Sequence, residues 1–244
     1  MAPYKKATWI PIGREQAAAS VKYSQGLRPP GHVTSFIKIE SQASKGIADS
    51  AENATVFVVM RGEVTVVINS SQFIATRGDI VYVPPDNTFD IINTGQDEAE
   101  LFNFQYVVPD TSTAPASATS SGPDQVLSVA RYKKAAWINI GREQEGVAVA
   151  SVKYSKALRP PGHVAAFFRI EGQASKGLTN SANSNMVFVV MRGEITVMIN
   201  SLQFTATMGD IVYVAPYKNY TLFNMGQEEA ELFNLQYRNK FKSN

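Results

Sequence analysis

The sequence is an internal duplication, and this constrains the fold more than any other feature. Residues 4–9 recur as residues 132–137, and from residue 23 onward the second copy follows the first at an offset of 131, so that residues 27–33 match residues 158–164. This period is far longer than the repeats of solenoid proteins, which run to about 50 residues. Each copy should therefore be a complete domain with its own core.

A segment rich in Ser, Thr, Ala and Pro separates the two copies. Residues 109–124 read PDTSTAPASATSSGPD and carry almost no large apolar side chain. Such a segment cannot bury enough apolar surface to offset the entropy lost on ordering, so its composition predicts a flexible tether. We predict a first domain at 1–108, a linker at 109–126 that is long enough for the copies to pair, and a second domain at 127–244.

The composition excludes several kinds of site and partner. The 244 residues include no cysteine, which excludes disulfides, thiolate nucleophiles and cysteine zinc sites. The net charge of +2 provides no large basic surface for nucleic acid or membrane. No apolar stretch reaches the roughly 18 residues needed to span a bilayer, and the start lacks the apolar run of a signal peptide. We expect a soluble intracellular protein with no direct nucleic-acid or membrane partner.

Short predicted β-strands alternate with turns within each copy. The strands are rich in β-branched residues, and glycines mark the turns at residues 61–63 and 76–79. Short strands at this spacing are typical of an antiparallel sandwich or barrel, so we predict an all-β fold. In the first copy the predicted strands are 56–60, 64–69, 72–75, 80–83, 89–93 and 99–106.

The spacing of turn residues in this region resembles the second motif of the cupin superfamily. Gly78, Pro84 and Asn93 occupy frame positions of that motif, and the second copy keeps the glycine and the asparagine. The second glycine of the motif is replaced by Asp86 in the first copy and by Tyr217 in the second. The resemblance implies two tandem cupin-type (jelly-roll) β-barrels.

The positions that bind a metal in cupins carry other residues here. Phe89 and Tyr220 stand at the histidine of the second motif. The glutamate of the first motif falls at Thr55 or Met186, and its two histidines fall near Asp49 and Ala51, or Asn180 and Ala182. A cupin metal centre needs converging imidazole and carboxylate ligands. We therefore expect no metal, no cofactor and no catalytic residue.

A more specific resemblance is to the C-terminal dimerisation domain of the centromere protein C (CENP-C) family of inner-kinetochore proteins. It is carried by residues 56–66, 73–84, 87–93, 98–105 and 229–236. In that family an aromatic residue typically replaces the metal histidine. The resemblance implies a nuclear domain that dimerises through a β-sheet face and recruits kinetochore or centromere-loading proteins. Since the family normally has one cupin, the tandem suggests that the copies pair within one chain or that two chains build a larger assembly.

Two sets of residues are candidates for protein contacts. A pairing face should be apolar at its centre, and its candidates are Val64, Val66, Phe73, Val81, Val83 and Phe102, with ordinary barrel core as the alternative for each. Residues 86–92 read DNTFDII whereas residues 217–223 read YKNYTLF, which suggests that the two barrel mouths no longer bind the same thing, or that only one of them binds anything. The candidates at the mouths are Asp86, Asn87, Phe89, Tyr217, Lys218 and Tyr220.

Other functions stay open from the sequence. A metal-free bicupin that binds a small molecule such as a sugar, or a sugar-modifying enzyme, would need converging polar groups, for which Asp49, Glu63 and Asp79 are available. A seed-storage-like bicupin shares the tandem architecture, although we find no signal peptide. The two histidines, His32 and His163, are interpreted as hydrogen-bonded residues beside Pro-Gly turns rather than as pH-sensitive contacts.

Overall fold

The computed structural model describes residues 7–11, 21–108, 128–140, 152–159 and 162–238. Nearly all the regular structure in these ranges is β-strand, and a 3-10 turn at Tyr132–Lys134 is the one helical element there. The predicted all-β class is therefore confirmed. Within the same ranges no helix is long and apolar enough to cross a membrane. The predicted linker at 109–126 lies outside the described residues.

The first copy folds into two antiparallel sheets. Its strands are β1 (Ile10–Pro11), β2 (Val21–Gln25), β3 (His32–Ile39), β4 (Ala48–Asp49), β5 (Asn53–Arg61), β6 (Glu63–Ile68), β7 (Ser71–Thr76), β8 (Ile80–Val83), β9 (Thr88–Ile92), β10 (Ala99–Val107) and β11 (Ser128–Ala130). The larger sheet has the order β1-β2-β3-β10-β5-β8-β11, and the smaller sheet has the order β4-β9-β6-β7. Strands β5 to β10 confirm the six strands predicted from the sequence.

The second copy repeats this arrangement. Its strands are β12 (Ile138–Asn139), β13 (Val152–Leu158), β14 (His163–Ile170), β15 (Thr179–Asn180), β16 (Asn185–Arg192), β17 (Glu194–Ile199), β18 (Leu202–Thr207), β19 (Ile211–Val214), β20 (Asn219–Phe223) and β21 (Ala230–Tyr237). The two sheets have the orders β12-β13-β14-β21-β16-β19 and β15-β20-β17-β18.

The core of each barrel lies between its two sheets. In the first copy, Phe57 and Leu101 of the larger sheet pack in one cluster with Val66 and Phe89 of the smaller sheet. Successive side chains of a strand point to opposite faces, so alternate residues of each strand supply this core. The sequence alternates apolar residues along β6 and β9, which fits strands with one buried face.

The compact units do not follow the repeat boundaries that the sequence predicts. Ser128–Ala130, predicted in the second domain, pairs as β11 with β8 of the first copy, with Val129 opposite Val81. This pairing covers backbone groups of β8 that a sheet edge would leave unpaired. The described residues form one unit of 10–11, 21–23, 31–108 and 128–130, and a second unit of 7–9, 24–30, 131–140, 152–159 and 162–238.

The asparagine of the cupin motif ties strands together inside the fold. Asn93 is fully buried, and its Nδ2 donates to the backbone oxygens of Ile39 at 2.9 Å and Asp97 at 2.7 Å. Its Oδ1 accepts a hydrogen bond from the backbone N–H of Gly95 at 2.9 Å. Asn224 makes the equivalent contacts in the second copy. The motif asparagine is therefore a structural residue that fixes the turn after β9 against the end of β3.

We predict that Asn93→Ala destabilises the first unit. The change removes the side-chain partner of one buried backbone oxygen, that of Ile39, and of two part-buried backbone groups. This should lower the free energy of unfolding by on the order of 2–3 kcal/mol. Urea denaturation of the whole chain measures this loss. The control is Ser41→Ala, because Ser41 Oγ donates to the oxygen of Gly95 at 2.8 Å from an exposed position and should cost about 0.5 kcal/mol or less. Equal losses in the two variants would contradict the assignment.

Candidate functional site

The aromatic residues at the metal-histidine positions lie inside the barrels. Phe89 on β9 is 4 % exposed and Tyr220 on β20 is 1 % exposed. The ring centroid of Phe89 is 5.5 Å from that of Phe57, and the ring centroid of Tyr220 is 5.7 Å from that of Phe188. Each barrel is therefore packed with aromatic rings at the place where a cupin positions a metal-binding histidine.

The other metal positions do not supply ligands to the barrel interior. Met186 packs in the core of the second barrel. Thr55 is fully buried, and its hydroxyl has no hydrogen-bond partner within the described part of the chain. Asp49 and Asn180 are exposed, and each side chain accepts a backbone N–H two residues later at 2.7 Å. The described residues contain no group of three or more His, Asp or Glu placed to hold a metal, and the side chains at these positions do not fit one.

A lysine lies over the aromatic ring in each barrel. Lys45 Nζ is 4.6 Å from the ring centroid of Phe89, and Lys176 Nζ is 4.7 Å from that of Tyr220. Both distances are within the range of a cation–π interaction. The backbone N–H of each lysine donates at 2.9 Å to the strand that carries the aromatic residue, which fixes the loop in place. Each barrel thus holds an ammonium group beside the residue at the metal-histidine position.

The two lysines differ in their hydrogen bonds. Lys176 Nζ donates to Thr179 Oγ1 at 2.8 Å and to Tyr220 Oη at 3.1 Å. Thr179 on β15 is directly opposite Tyr220 on β20, so both side chains lie on the same face of the sheet. The equivalent residues of the first copy, Ala48 and Phe89, have no hydroxyl group. The hydroxyl groups around the ammonium are therefore specific to the second barrel.

The charges around the two lysines also differ. Burial lowers the pKa of Lys45, and the nearby carboxylate of Asp90 opposes this effect. Burial lowers the pKa of Lys176 to about 8. Thr221 takes the place of Asp90 in the second copy, and no carboxylate in the described ranges offsets the burial of Lys176. The second barrel therefore keeps a poorly solvated ammonium group without a compensating negative charge.

The sequence analysis did not identify these lysines. The triplet Ser-Lys-Gly at residues 44–46 recurs unchanged at residues 175–177, which was a visible signal. It lies before the predicted strands, in a stretch without a recognisable motif. Only the fold brings Lys45 and Lys176 back over residues that lie 44 positions later in the sequence.

The structure corrects most of the predicted pairing face. Val64, Val66, Val81 and Val83 are fully buried in the core of the first barrel, and Phe73 packs against that core. They point inward because they occupy the core-facing positions of strands whose side chains alternate between faces. Phe102 lies on the opposite face of β10, where its ring centroid is 5.6 Å from that of Phe36. Of the six predicted residues, Phe102 alone faces away from the core cluster.

The residues predicted for the barrel mouths fall into two groups. Phe89 and Tyr220 are buried in the barrel cores, as described above. Asp86, Tyr217 and Lys218 are exposed in the turns before β9 and β20, and Asn87 is partly buried there. The side chain of Tyr217 is 73 % exposed, whereas the equivalent position of the first copy is the acidic Asp86. The mouths therefore differ in surface chemistry.

The histidines and the remaining carboxylates have structural surroundings. The ring of His32 lies 4.9 Å from that of Phe104, and the ring of His163 lies 5.3 Å from that of Tyr237. Asp79 is 2 % exposed rather than solvated, and it accepts hydrogen bonds from the backbone N–H and the hydroxyl of Thr76 within its turn. Glu63 is exposed. Asp49, Glu63 and Asp79 therefore do not converge on the barrel core.

We predict that Lys176→Met changes how stability depends on pH. The pKa of Lys176 is about 8 in the folded protein, below its usual 10.5. Between pH 8 and pH 10.5 this lysine is therefore protonated in the unfolded chain and deprotonated in the folded chain. The stability of the wild-type protein therefore rises with pH through this window. Below pH 8 the lysine is charged in both states, and the cost of burying the ammonium, on the order of 3 kcal/mol, is fully present.

The variant lacks this dependence, so its stability relative to the wild type should fall as the pH rises from 7 to 10. Urea denaturation at several pH values measures the difference between them. Lys156→Met, which removes an exposed lysine of the second copy, is the matched control for the loss of a positive charge. A wild-type–variant difference that is constant with pH would contradict the prediction.

Comparison with solved structures shows the fold. The chain is similar to a Cupin 2 conserved barrel domain protein from Leptotrichia buccalis (12 % identity, TM-score 0.60, covering 98 % of this chain and 100 % of that chain). It is similar to a variant of oxalate decarboxylase from Bacillus subtilis (13 % identity, TM-score 0.68, covering 97 % of this chain and 76 % of that chain). It is also similar to procruciferin, an 11S globulin from Brassica napus (10 % identity, TM-score 0.70, covering 94 % of this chain and 83 % of that chain). The predicted tandem of cupin barrels is confirmed.

Comparison with protein families identifies the branch of cupins. No curated protein sequence matches this chain. The family model described as Mif2/CENP-C like matches twice, at residues 22–105 and at residues 152–236. The two matches cover both copies and more than half of the chain. The aromatic residues at the metal-histidine positions of both barrels agree with the resemblance found in the sequence. The chain therefore belongs to the Mif2/CENP-C-like family of cupin domains, which it carries as a tandem duplication.

Proposed function

We propose that this chain is a non-enzymatic protein-interaction and dimerisation module of the inner kinetochore, which recruits centromere or kinetochore partners in the nucleus. The observation that carries the proposal is the packed aromatic residue at the metal-histidine position of both barrels, in a chain of the CENP-C-like family. A catalytic metal site keeps an open coordination position for substrate. Phe89 and Tyr220 supply a packed ring instead, so we assign pairing and recruitment to the surfaces of the two barrels.

The pairing function rests on the larger sheet of each copy. The face of this sheet that points away from the barrel core is apolar. It has eight positions, of which seven carry the same residue in both copies, and Leu235 replaces Phe104 at the eighth. A preserved apolar sheet face with aromatic residues has the composition of a protein interface. We propose that this face pairs with its counterpart in the other copy or in a second chain. In the first copy it consists of Phe36, Val56, Val58, Ile80, Tyr82, Phe102, Phe104 and Tyr106.

The recruitment function is proposed for the mouth of the second barrel. Tyr217 and Leu202 are 73 % and 72 % exposed, whereas the first copy has Asp86 and Ser71 at these positions. Exposed aromatic and apolar residues beside the positively charged Lys218 are suited to contact a protein partner. We propose that the second mouth binds a kinetochore partner that the first mouth does not bind.

We predict that Phe102→Glu and Phe233→Glu together disrupt pairing of the copies. A protease site introduced at residue 118 allows the linker to be cut, and light scattering at low micromolar concentration then reports whether the halves stay together. The wild-type halves should remain associated, and the double variant should separate because each buried carboxylate costs several kcal/mol. Strand β11 and residues 7–9 and 24–30, which the compact units exchange between the two halves, are the same in the wild type and in the double variant. The difference in association between the two proteins therefore reports the sheet face.

The matched control for this experiment is Leu202→Glu, which places the same charge at a position that is 72 % exposed. It should leave the mass unchanged after cleavage. Separation of the wild-type halves, or continued association of the double variant, would argue against pairing through this face.

We predict that a fluorescently tagged chain concentrates at centromeres in cells of its source organism. Tyr217→Asp, which introduces the residue of the first copy, should reduce this localisation and the co-precipitation of kinetochore proteins, because it removes the exposed ring. Asp86→Tyr is the reciprocal control and should preserve both. A diffuse distribution of the wild-type chain would refute the kinetochore proposal.

A further inference from the structure

Among the described residues, two side chains of the second barrel keep hydrogen-bond donors without an acceptor. A lysine ammonium carries three N–H donors, and Lys176 directs two of them to Thr179 Oγ1 and Tyr220 Oη. Tyr220 accepts the bond from Lys176, so its own O–H remains able to donate, and Lys176 is its hydrogen-bond partner among the described residues. The ammonium and the tyrosine oxygen are 3.1 Å apart. Two donors are therefore close enough to contact one ligand group.

The charge balance around Lys176 favours the binding of an anion. A buried charge is costly unless an opposite charge accompanies it. In the first barrel, Asp90 supplies a negative charge near Lys45. In the second barrel Thr221 replaces that residue, and no carboxylate among the described residues acts on Lys176. An anionic ligand beside Lys176 would provide the compensating charge.

The surroundings of Lys176 select an organic monoanion. Its Nζ is 5.9 Å from the ring centroid of Phe168 and 4.7 Å from that of Tyr220. One ammonium balances one negative charge, whereas phosphate is usually bound by several cationic or backbone donors. Two aromatic rings near the ammonium suit the hydrocarbon part of a ligand. Tyr220 is 1 % exposed, whereas Lys176 is partly exposed and Leu178, two residues later, is 72 % exposed. A ligand therefore has to reach the pair from the side of the loop that carries the lysine.

We propose that the second barrel binds the carboxylate group of a small organic acid through Lys176 and the hydroxyl of Tyr220, and that the first barrel does not. Thr179 holds the ammonium in position. The first barrel provides the contrast within one chain, because Phe89 and Ala48 lack the two hydroxyl groups and Asp90 repels an anion. This site is independent of the proposed kinetochore role, which depends on the sheet face and on the exposed mouth residues.

The test is a titration of the whole chain with benzoate at pH 7.5, followed by the 13Cε NMR signals of the lysine side chains. Chloride and inorganic phosphate at matched ionic strength are the comparison anions. We expect a saturable shift of the Lys176 signal with benzoate, and none with chloride or phosphate beyond a general salt effect. The Lys45 signal serves as the internal control and should not respond. Lys176→Met identifies the Lys176 signal by its loss.

Tyr220→Phe tests the second donor, since it removes one oxygen atom and keeps the ring in the core. Loss of the donated hydrogen bond should weaken benzoate binding about tenfold. Lys176→Met should abolish the rise in thermal midpoint that benzoate produces in the wild-type chain. In the NMR titration, the proposal is overturned if benzoate leaves the Lys176 signal unchanged, if Lys45 responds equally, or if phosphate or chloride gives the same saturable shift. It is also overturned if benzoate raises the thermal midpoint of Lys176→Met as much as that of the wild type.

Discussion

Close packing of apolar side chains between two sheets is the constraint on which both barrels depend. In each copy the aromatic residue at the metal-histidine position lies in the centre of this packing, against Phe57 or Phe188. Burial of a large aromatic side chain contributes on the order of 2–3 kcal/mol. The ring therefore contributes to folding at a place where a catalytic cupin uses side chains for metal binding. This change of role agrees with the interaction function that we propose for the barrels.

The lysine over each ring shows how the two barrels have diverged under the same framework. The loop, its backbone hydrogen bonds and the ring beneath are common to both copies. Three substitutions alter the surroundings of the ammonium, since Ala48, Phe89 and Asp90 correspond to Thr179, Tyr220 and Thr221. The first barrel has a nearby negative charge, and the second has hydroxyl groups instead. A small number of changes at one point has thus given two barrels of the same fold different chemistry.

The two faces of the larger sheet have different compositions and, in the function that we propose, separate roles. One face fills the barrel, and the other carries apolar and aromatic residues that the copies share at nearly every position. Because strand side chains alternate between faces, residues next to each other in sequence, such as Leu101 and Phe102, contribute to different surfaces. A pairing face and a barrel core can therefore be built from the same strands, and a substitution in one need not alter the other.

The sequence by itself determined the duplication, the all-β class, the strands from β5 to β10 and the loss of metal ligands, because each of these follows from identity, from alternation or from side-chain chemistry at fixed spacing. It did not separate core valines such as Val64 and Val81 from a pairing face, since a run of β-branched residues does not show which side of a sheet faces inward. It also predicted that the second domain begins at 127, whereas Ser128–Ala130 joins the sheet of the first copy. The tertiary structure alone placed Lys45 and Lys176 over residues distant in sequence, because that contact depends on how a loop folds back across a sheet and not on any local pattern.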